Sequence, residues 1–198
     1  MSRRLSVEER RAQLLELGLE LFSTQPYDDV SIDDIAERAG VSKGLLYHYF
    51  GGKRAFYMAT VELSASQMLD ALTPVADPDP AARVRSGLNR YLDFVDARAD
   101  AFVALMRGGL GRDDEVSVVV DRTRRTLAAR VVDGVEVASE GQQGVLRLVA
   151  ASWIGAVEAA SLDWLAHRDV DRDVMVEVLL GALMGSLVQA GIGIDRPG

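Results

Sequence analysis

The chain has 198 residues, of which 48% are hydrophobic and 26% charged, with a net charge of −8 and no cysteine. That length and apolar content suffice for one large or two small domains with a buried core. The missing thiols exclude a disulfide framework, a cysteine nucleophile and a thiolate metal site, and with no signal peptide the cytoplasm is the expected compartment. Residues 1–5 form a short basic arm whose Arg3 and Arg4 suit a minor groove or phosphate, although a solvated terminus has the same composition. Residues 6–24 predict a first helix, with Ser6 as cap, Glu9 three residues on, and Leu14, Gly18, Leu21 and Phe22 as its core stripe. The run Gln-Pro-Tyr-Asp-Asp over residues 25–29 reads as a turn.

The stretch from Ser31 to Lys53 reads as two short helices about a tight turn. Ile32, Ile35, Ala36 and Ala39 share one helical face, Gly40 breaks the run, and Ser31 and Ser42 stand where each helix needs a cap. Asp33 and Asp34 lie in the first turn, where the positive end of the helix dipole favours them. In the second helix Leu46 and Phe50 close the core with Val41, which turns Lys43, Gly44, Leu45, Tyr47 and His48 outward. Such a face suits the major groove, with Lys43 at base edges or phosphates and the hydroxyls of Tyr47 and Tyr49 at backbone oxygens. A mere packing unit would put two tyrosines and a histidine into a core they suit poorly. Ser31, Ser42, Lys43, Gly44, Leu45, Tyr47, His48, Tyr49 and Lys53 are therefore the candidate DNA-contacting residues, and Lys43 and Lys53 are the only lysines among 22 basic residues.

The run A-G-V-S-K-G-L-L-Y-H-Y-F-G-G-K closely resembles the DNA-binding helix of the TetR family of transcriptional regulators. Gly40, Val41, Ser42, Gly44, Leu46, Tyr47, Tyr49, Phe50 and Lys53 match that pattern. Leu45 departs from it: the family often has threonine there, so an apolar contact, such as one to a thymine methyl, replaces a hydrogen bond. The resemblance is strong over about the first quarter of the chain. The acidic balance runs against DNA binding, since residues 1–53 hold seven basic and nine acidic side chains. Placement decides instead, with the cations at the arm, the recognition helix and the start of the next helix; acidity elsewhere weakens non-specific binding and makes affinity salt-dependent.

A fourth helix is expected from Gly52 to about Thr73, linking the head to the rest, and prolines 74, 78 and 80 mark a boundary near residue 75. The expected domains are a DNA-binding head over 1–53, a linking helix over 54–74 and an effector-binding and dimerisation domain over 75–198. Helices follow over residues 81–97 and 99–107. The glycine-rich R-G-G-L-G-R lacks the lysine and hydroxyl residue of a phosphate loop and reads as an interhelical turn. A long helix is expected over 113–139, ended by the run Glu-Gly-Gln-Gln-Gly over residues 140–144, then two helices over 145–167 and 171–189, rich in small residues. The uncharged run 178–194 is shorter than a membrane span and is broken by glycines, so a buried bundle helix is expected and no membrane partner. The fold class is all-α, about nine helices: a three-helix helix-turn-helix head followed by a helical bundle.

His48 and His167 are far apart, and no metal, nucleophile or paired-acid motif appears, so neither an enzyme nor a cofactor is expected. The last two helices suit a self-complementary four-helix dimer interface. The resemblance implies a homodimer on a palindromic operator in double-stranded DNA, and an effector pocket within residues 81–167. Phe94, Phe102, Leu105, Met106, Leu127, Trp153 and Val157 are its expected apolar lining, each equally readable as ordinary core, and Arg107, Arg124 or Arg147 is available for an acidic headgroup. That lining suits a small apolar effector such as a fatty acid or acyl-CoA, which releases a repressor from DNA. A ligand-independent DNA-binding structural protein is the alternative.

Overall fold

A computed structural model describes residues 6–74, 77, 79–107, 114–133, 135, 137 and 139–193. The basic arm over 1–5, the glycine-rich turn after Arg107 and the expected boundary at residue 75 lie outside them. Among the described residues there are nine α-helices and no strand: α1 (Val7–Thr24), α2 (Ile32–Ala39), α3 (Lys43–Phe50), α4 (Lys53–Ala71), α5 (Pro80–Asp96), α6 (Ala99–Arg107), α7 (Asp114–Val132), α8 (Glu140–His167) and α9 (Arg172–Gln189). They gather into two compact units, one drawn from the spans Met1–Gln67 and Arg98–Val119, the other from Met68–Ala97 and Val120–Gly198. The head therefore shares its unit with most of α4, with α6 and with the start of α7.

In the first unit the sequence signals act as local chemistry. Ser6 and Glu9 form a reciprocal capping box at the start of α1, satisfying two N–H groups that the helix cannot pair internally. The stripe of Leu14, Leu15 and Leu21 is buried with Val30, Ile35, Leu46, Phe50 and Phe56 in one core; each fully buried side chain of that size contributes about 1.5–3 kcal/mol. Aromatic rings lock the start of α4 onto it. Phe50 and Phe56 meet edge-on with centroids 4.9 Å apart, as do Phe22 and Tyr57. A 3-10 turn over Tyr27–Asp29 carries Tyr27 to within 4.9 Å of the Tyr57 ring.

In the second unit α8 packs along α9, and α5 packs on both. The buried Trp153 indole donates to the Leu179 carbonyl at 2.8 Å, joining α8 to α9. Along α5, Arg85 holds Glu177 through two hydrogen bonds of 2.7 and 3.1 Å, Asp93 pairs with Arg172, and Asp96 pairs with Arg168. The side chains in these pairs are exposed apart from the half-buried Arg172, so each pair contributes little, but together they fix the register of α5 against the α8–α9 end. Arg90 donates to the Ala71 carbonyl, the last of α4, which the helix leaves unpaired, and to the Thr73 carbonyl just beyond it.

The expected long helix over 113–139 is shorter, and α8 is longer. α7 ends at Val132, and α8 begins at Glu140 with Ser139 as its cap, the Ser139 hydroxyl accepting from the Gln142 N–H at 3.3 Å. The segment expected to end a helix begins one: Gly141 and Gly144 lie inside the first turns of α8.

Candidate nucleic-acid interface

α2, the turn and α3 are held by backbone chemistry. The Ser31 hydroxyl accepts from the Asp34 N–H while the Asp34 carboxylate accepts from the Ser31 N–H at 2.8 Å and its hydroxyl at 2.6 Å. Those bonds hold the Asp34 carboxyl below its ordinary range. Gly40 closes α2 in the left-handed conformation, φ 62, where its N–H reaches the Glu37 carbonyl and the Val41 N–H reaches the Ala36 carbonyl. That is the pair of hydrogen bonds that closes a glycine-terminated helix, and a residue with a Cβ is strained there. The Ser42 hydroxyl then accepts from the Leu45 N–H at 3.2 Å and starts α3, which ends at Gly51, φ 78.

α3 has two unlike faces. Leu46 is fully buried and Phe50 nearly so, with the Arg11 guanidinium 5.3 Å above the Phe50 ring. On the other side Ser42, Lys43, Gly44 and His48 are exposed and Tyr47 keeps 51% of its surface in solvent. Leu45, expected outside, is half-buried, so part of its apolar side chain is drawn off the surface. Tyr49 is also half-buried and packs on the core, with its ring edge-on to His48. Ser31 is exposed at the start of α2.

Both lysines are engaged within the head. Lys43 Nζ lies 2.6 Å from Asp33 Oδ1, a contact that raises the lysine pKa. Lys53, half-buried, holds its ammonium 4.1 Å above the Tyr27 ring and 3.5 Å from the Asp28 carbonyl oxygen. Neither partner was legible beforehand. Asp33 and Lys43 are ten residues apart across a turn, a spacing that no helical period marks, and Tyr27 reaches Lys53 only because the 3-10 turn folds back.

The residues expected to line an effector pocket fall in both units. Phe102, Leu105 and Met106 lie in α6 of the first, Phe102 buried and the other two half-buried. Phe94, Arg124, Leu127, Trp153 and Val157 lie in the second, with Trp153 and Val157 buried where α8 packs. Arg124 does not stand open to a headgroup. Its Nε is 3.0 Å from both Glu158 carboxylate oxygens, and its NH1 is 3.1 Å from Asp121. Beside this pair Tyr91 and Ser161 are buried, and burial, helped by the Glu158 charge, pushes the Tyr91 phenol well above its ordinary value of 10.0. Glu158 is the residue that sequence reasoning missed here, because its neighbours along α8, Gly155 to Val157 and Ala159 to Ser161, are small or apolar. His167 lies at the end of α8 with Nδ1 3.0 Å from the Asp163 carbonyl oxygen.

A capped helix-turn-helix with one buried and one polar face, on an all-helical chain with no strand among its described residues, defines a helix-turn-helix DNA-binding protein. A family model of bacterial regulatory proteins of the tetR family matches residues 14–60, and one of the tetracyclin repressor-like C-terminal domain matches residues 80–186. The chain belongs to the TetR family of transcriptional regulators. It is similar to the HTH-type transcriptional activator FasR of Mycolicibacterium smegmatis, at 25% identity over 93% of this chain and 85% of that one. It is also similar to the HTH-type transcriptional repressor KstR of Rhodococcus jostii, at 27% identity over 88% of this chain and 84% of that one. Among solved structures, a tetR-family transcriptional regulator from Streptomyces coelicolor shares 34% identity and a TM-score of 0.82 over 94% of this chain and 87% of that one. These relatives are named as regulators of transcription, not enzymes.

Proposed function

We propose that the protein is a ligand-responsive repressor that binds a palindromic operator as a homodimer, acting in the cytoplasm on its own chromosome. The observation that carries the DNA reading is the outward face of α3, where Lys43, Gly44, Tyr47 and His48 stand in solvent on a helix whose opposite face is locked into the core. In this reading Ser31, Ser42, Lys43, Tyr47, Tyr49 and Lys53 hold phosphates, and Gly44, Leu45 and His48 meet base edges. The head spans residues 1–53, α4 links it onward, and residues 75–198 bind effector and partner.

The exposed sides of α8 and α9 support dimerisation through those two helices. Leu148, Val174, Val178 and Val188 keep 55–72% of their surface in solvent. Between them lie the small residues Ala151, Gly155 and Ala159 of α8, and Gly181, Ala182 and Gly185 of α9, all exposed. An apolar face with small residues lets a second pair of helices approach closely, and the symmetric solution is a four-helix contact. α8 is the one described helix long and apolar enough to span a membrane, but a dimer face accounts for the same composition.

For the effector we infer a small apolar molecule, with a fatty acid or acyl-CoA as the leading class. Phe94, Leu127, Trp153 and Val157 supply apolar surface. Arg124 supplies the headgroup contact by exchanging Glu158 for the ligand's acid, so that binding and opening of the α7–α8 ion pair are one event. A ligand shifts an equilibrium only by its differential affinity for the two states, and this exchange is where that difference arises. Selection of bound sequences from a random duplex pool tests the DNA reading: a two-fold symmetric motif with half-sites about one helical turn apart is expected. Enrichment of no motif would favour a structural DNA-binding protein.

A further inference from the structure

The first turn of α2 carries two carboxylates, and they do different things. Asp34 completes the capping box with Ser31. Asp33, with 66% of its side chain exposed, reaches across the turn instead and sits 2.6 Å from the ammonium of Lys43, the first residue of α3. An oxygen anion at that distance from a lysine nitrogen is what a DNA phosphate would present. The contact lies at the end of α3 where its N–H groups and dipole favour an anion. The head thus holds a carboxylate on the ammonium of an exposed residue of α3.

We propose that Asp33 stands in for a DNA phosphate on Lys43 in the free head, so that binding exchanges one anion for the other and Asp33 sets the affinity and its salt dependence. This rests on the reading of α3 as the DNA-facing helix. The charge accounting gives the consequence. A lysine that meets a phosphate from solvent releases about 0.9 of a condensed cation. A lysine that first leaves Asp33 bares a carboxylate that gathers a diffuse cation atmosphere in turn, so the net release at Lys43 is smaller. Asp33 also stays close to the duplex and repels it. The wild-type protein therefore gains less from Lys43 than the residue alone offers.

Fluorescence anisotropy of the full chain, titrated against its selected operator and a scrambled duplex at several salt concentrations, tests this with Asp33→Asn, Lys43→Ala and the double variant. Asp33→Asn should tighten binding to both duplexes about two- to fivefold and steepen the dependence of log K on log salt by up to about 0.9. Lys43→Ala should then cost more affinity, and more slope, in the Asp33→Asn background than in the wild type. Because Asp34 makes the cap, the fold is retained; Tm is read on the same samples, with Asp33→Ser as a second variant. Weaker binding at unchanged slope together with a lower Tm would assign Asp33 a purely structural role and overturn the proposal. Unchanged affinity and slope would also overturn it. If Lys43→Ala changes nothing in either background, the DNA-facing reading of α3 fails with it.

Discussion

Gly18 shows how much a single residue can fix. It lies in α1 where an added Cβ would come 2.5 Å from Thr60 Oγ1 and 2.9 Å from Phe56 Cζ. Phe56 is fully buried and Thr60 nearly so, so neither side chain can swing into solvent. Gly18→Ala should destabilise by about 1–3 kcal/mol through overpacking, against the small gain in helix propensity that the same change brings at an open site. Thermal denaturation followed by circular dichroism checks it, and an unchanged Tm would mean that α1 and α4 pack less closely. The stripe of Leu14, Gly18 and Leu21 was legible from helical spacing alone. The requirement for glycine at one of its members was not, because it depends on Thr60 and Phe56, forty residues away.

Tyr91 carries a prediction with a definite sign. Burial, then the nearby Glu158 charge, raises its pKa above the ordinary value of 10.0. A group whose folded pKa is raised contributes stability in full below its unfolded value and loses it as pH rises beyond that value. The stability of the wild type should therefore fall with pH above about 10, and Tyr91→Phe should remove that part of the fall. Urea midpoints measured from pH 9 upward read the difference, and parallel decline in both proteins would show that Tyr91 does not ionise at a cost. Tyr91 falls on the same helical face as Leu88, Leu92 and Val95, which marks it as core in the sequence. The sequence could not mark the Arg124–Glu158 pair beside it, since three helices bring these residues together.

At the scale of elements, caps were the most legible feature and helix lengths the least. Ser6, Ser31 and Ser42 each cap the helix expected of them, because the signal and the bond are three residues apart and need nothing else from the fold. Ser31→Ala should cost about 1 kcal/mol. It should also weaken the protein's acid sensitivity. The lowered Asp34 pKa contributes stability above its unfolded value of 3.8 that is lost as pH falls through the lower folded value, and the Ser31 hydroxyl donates the hydrogen bond that lowers it most. Denaturation of both proteins at neutral pH and near pH 3 checks the pair of claims; an equal loss on acidification in the two would contradict the second. The boundary between α7 and α8 misled because Val131 and Val135 continue an apolar stripe and Gly141 and Gly144 look like breakers. Tertiary packing of α8 along α9 overrides the glycine cost, about 0.5–1 kcal/mol each, and Ser139 provides the start that the glycines obscure.

For the whole molecule the claims concern assembly and response. A dimer face on α8 and α9 predicts that Val178→Arg, at a position 65% exposed in the single chain, leaves the fold intact but produces monomers in sedimentation and weakens operator binding at least tenfold, since each head then binds one half-site alone. Dimers of undiminished affinity would place the interface elsewhere. The helix-turn-helix was readable at this scale because its residues are contiguous. The expected effector residues are not contiguous: they are scattered over α5 to α8 and divide between two units, and Arg124, read in sequence as available for a headgroup, is held by Glu158 and Asp121.

The measurement that bears most directly on the central claim is fluorescence anisotropy of the purified protein on DNA from immediately upstream of its own gene, with a scrambled duplex as control, repeated with a long-chain acyl-CoA. A sensing repressor predicts tight binding to the upstream duplex alone and its loss on adding the acyl-CoA. Equal binding to both duplexes, unmoved by the ligand, would contradict it.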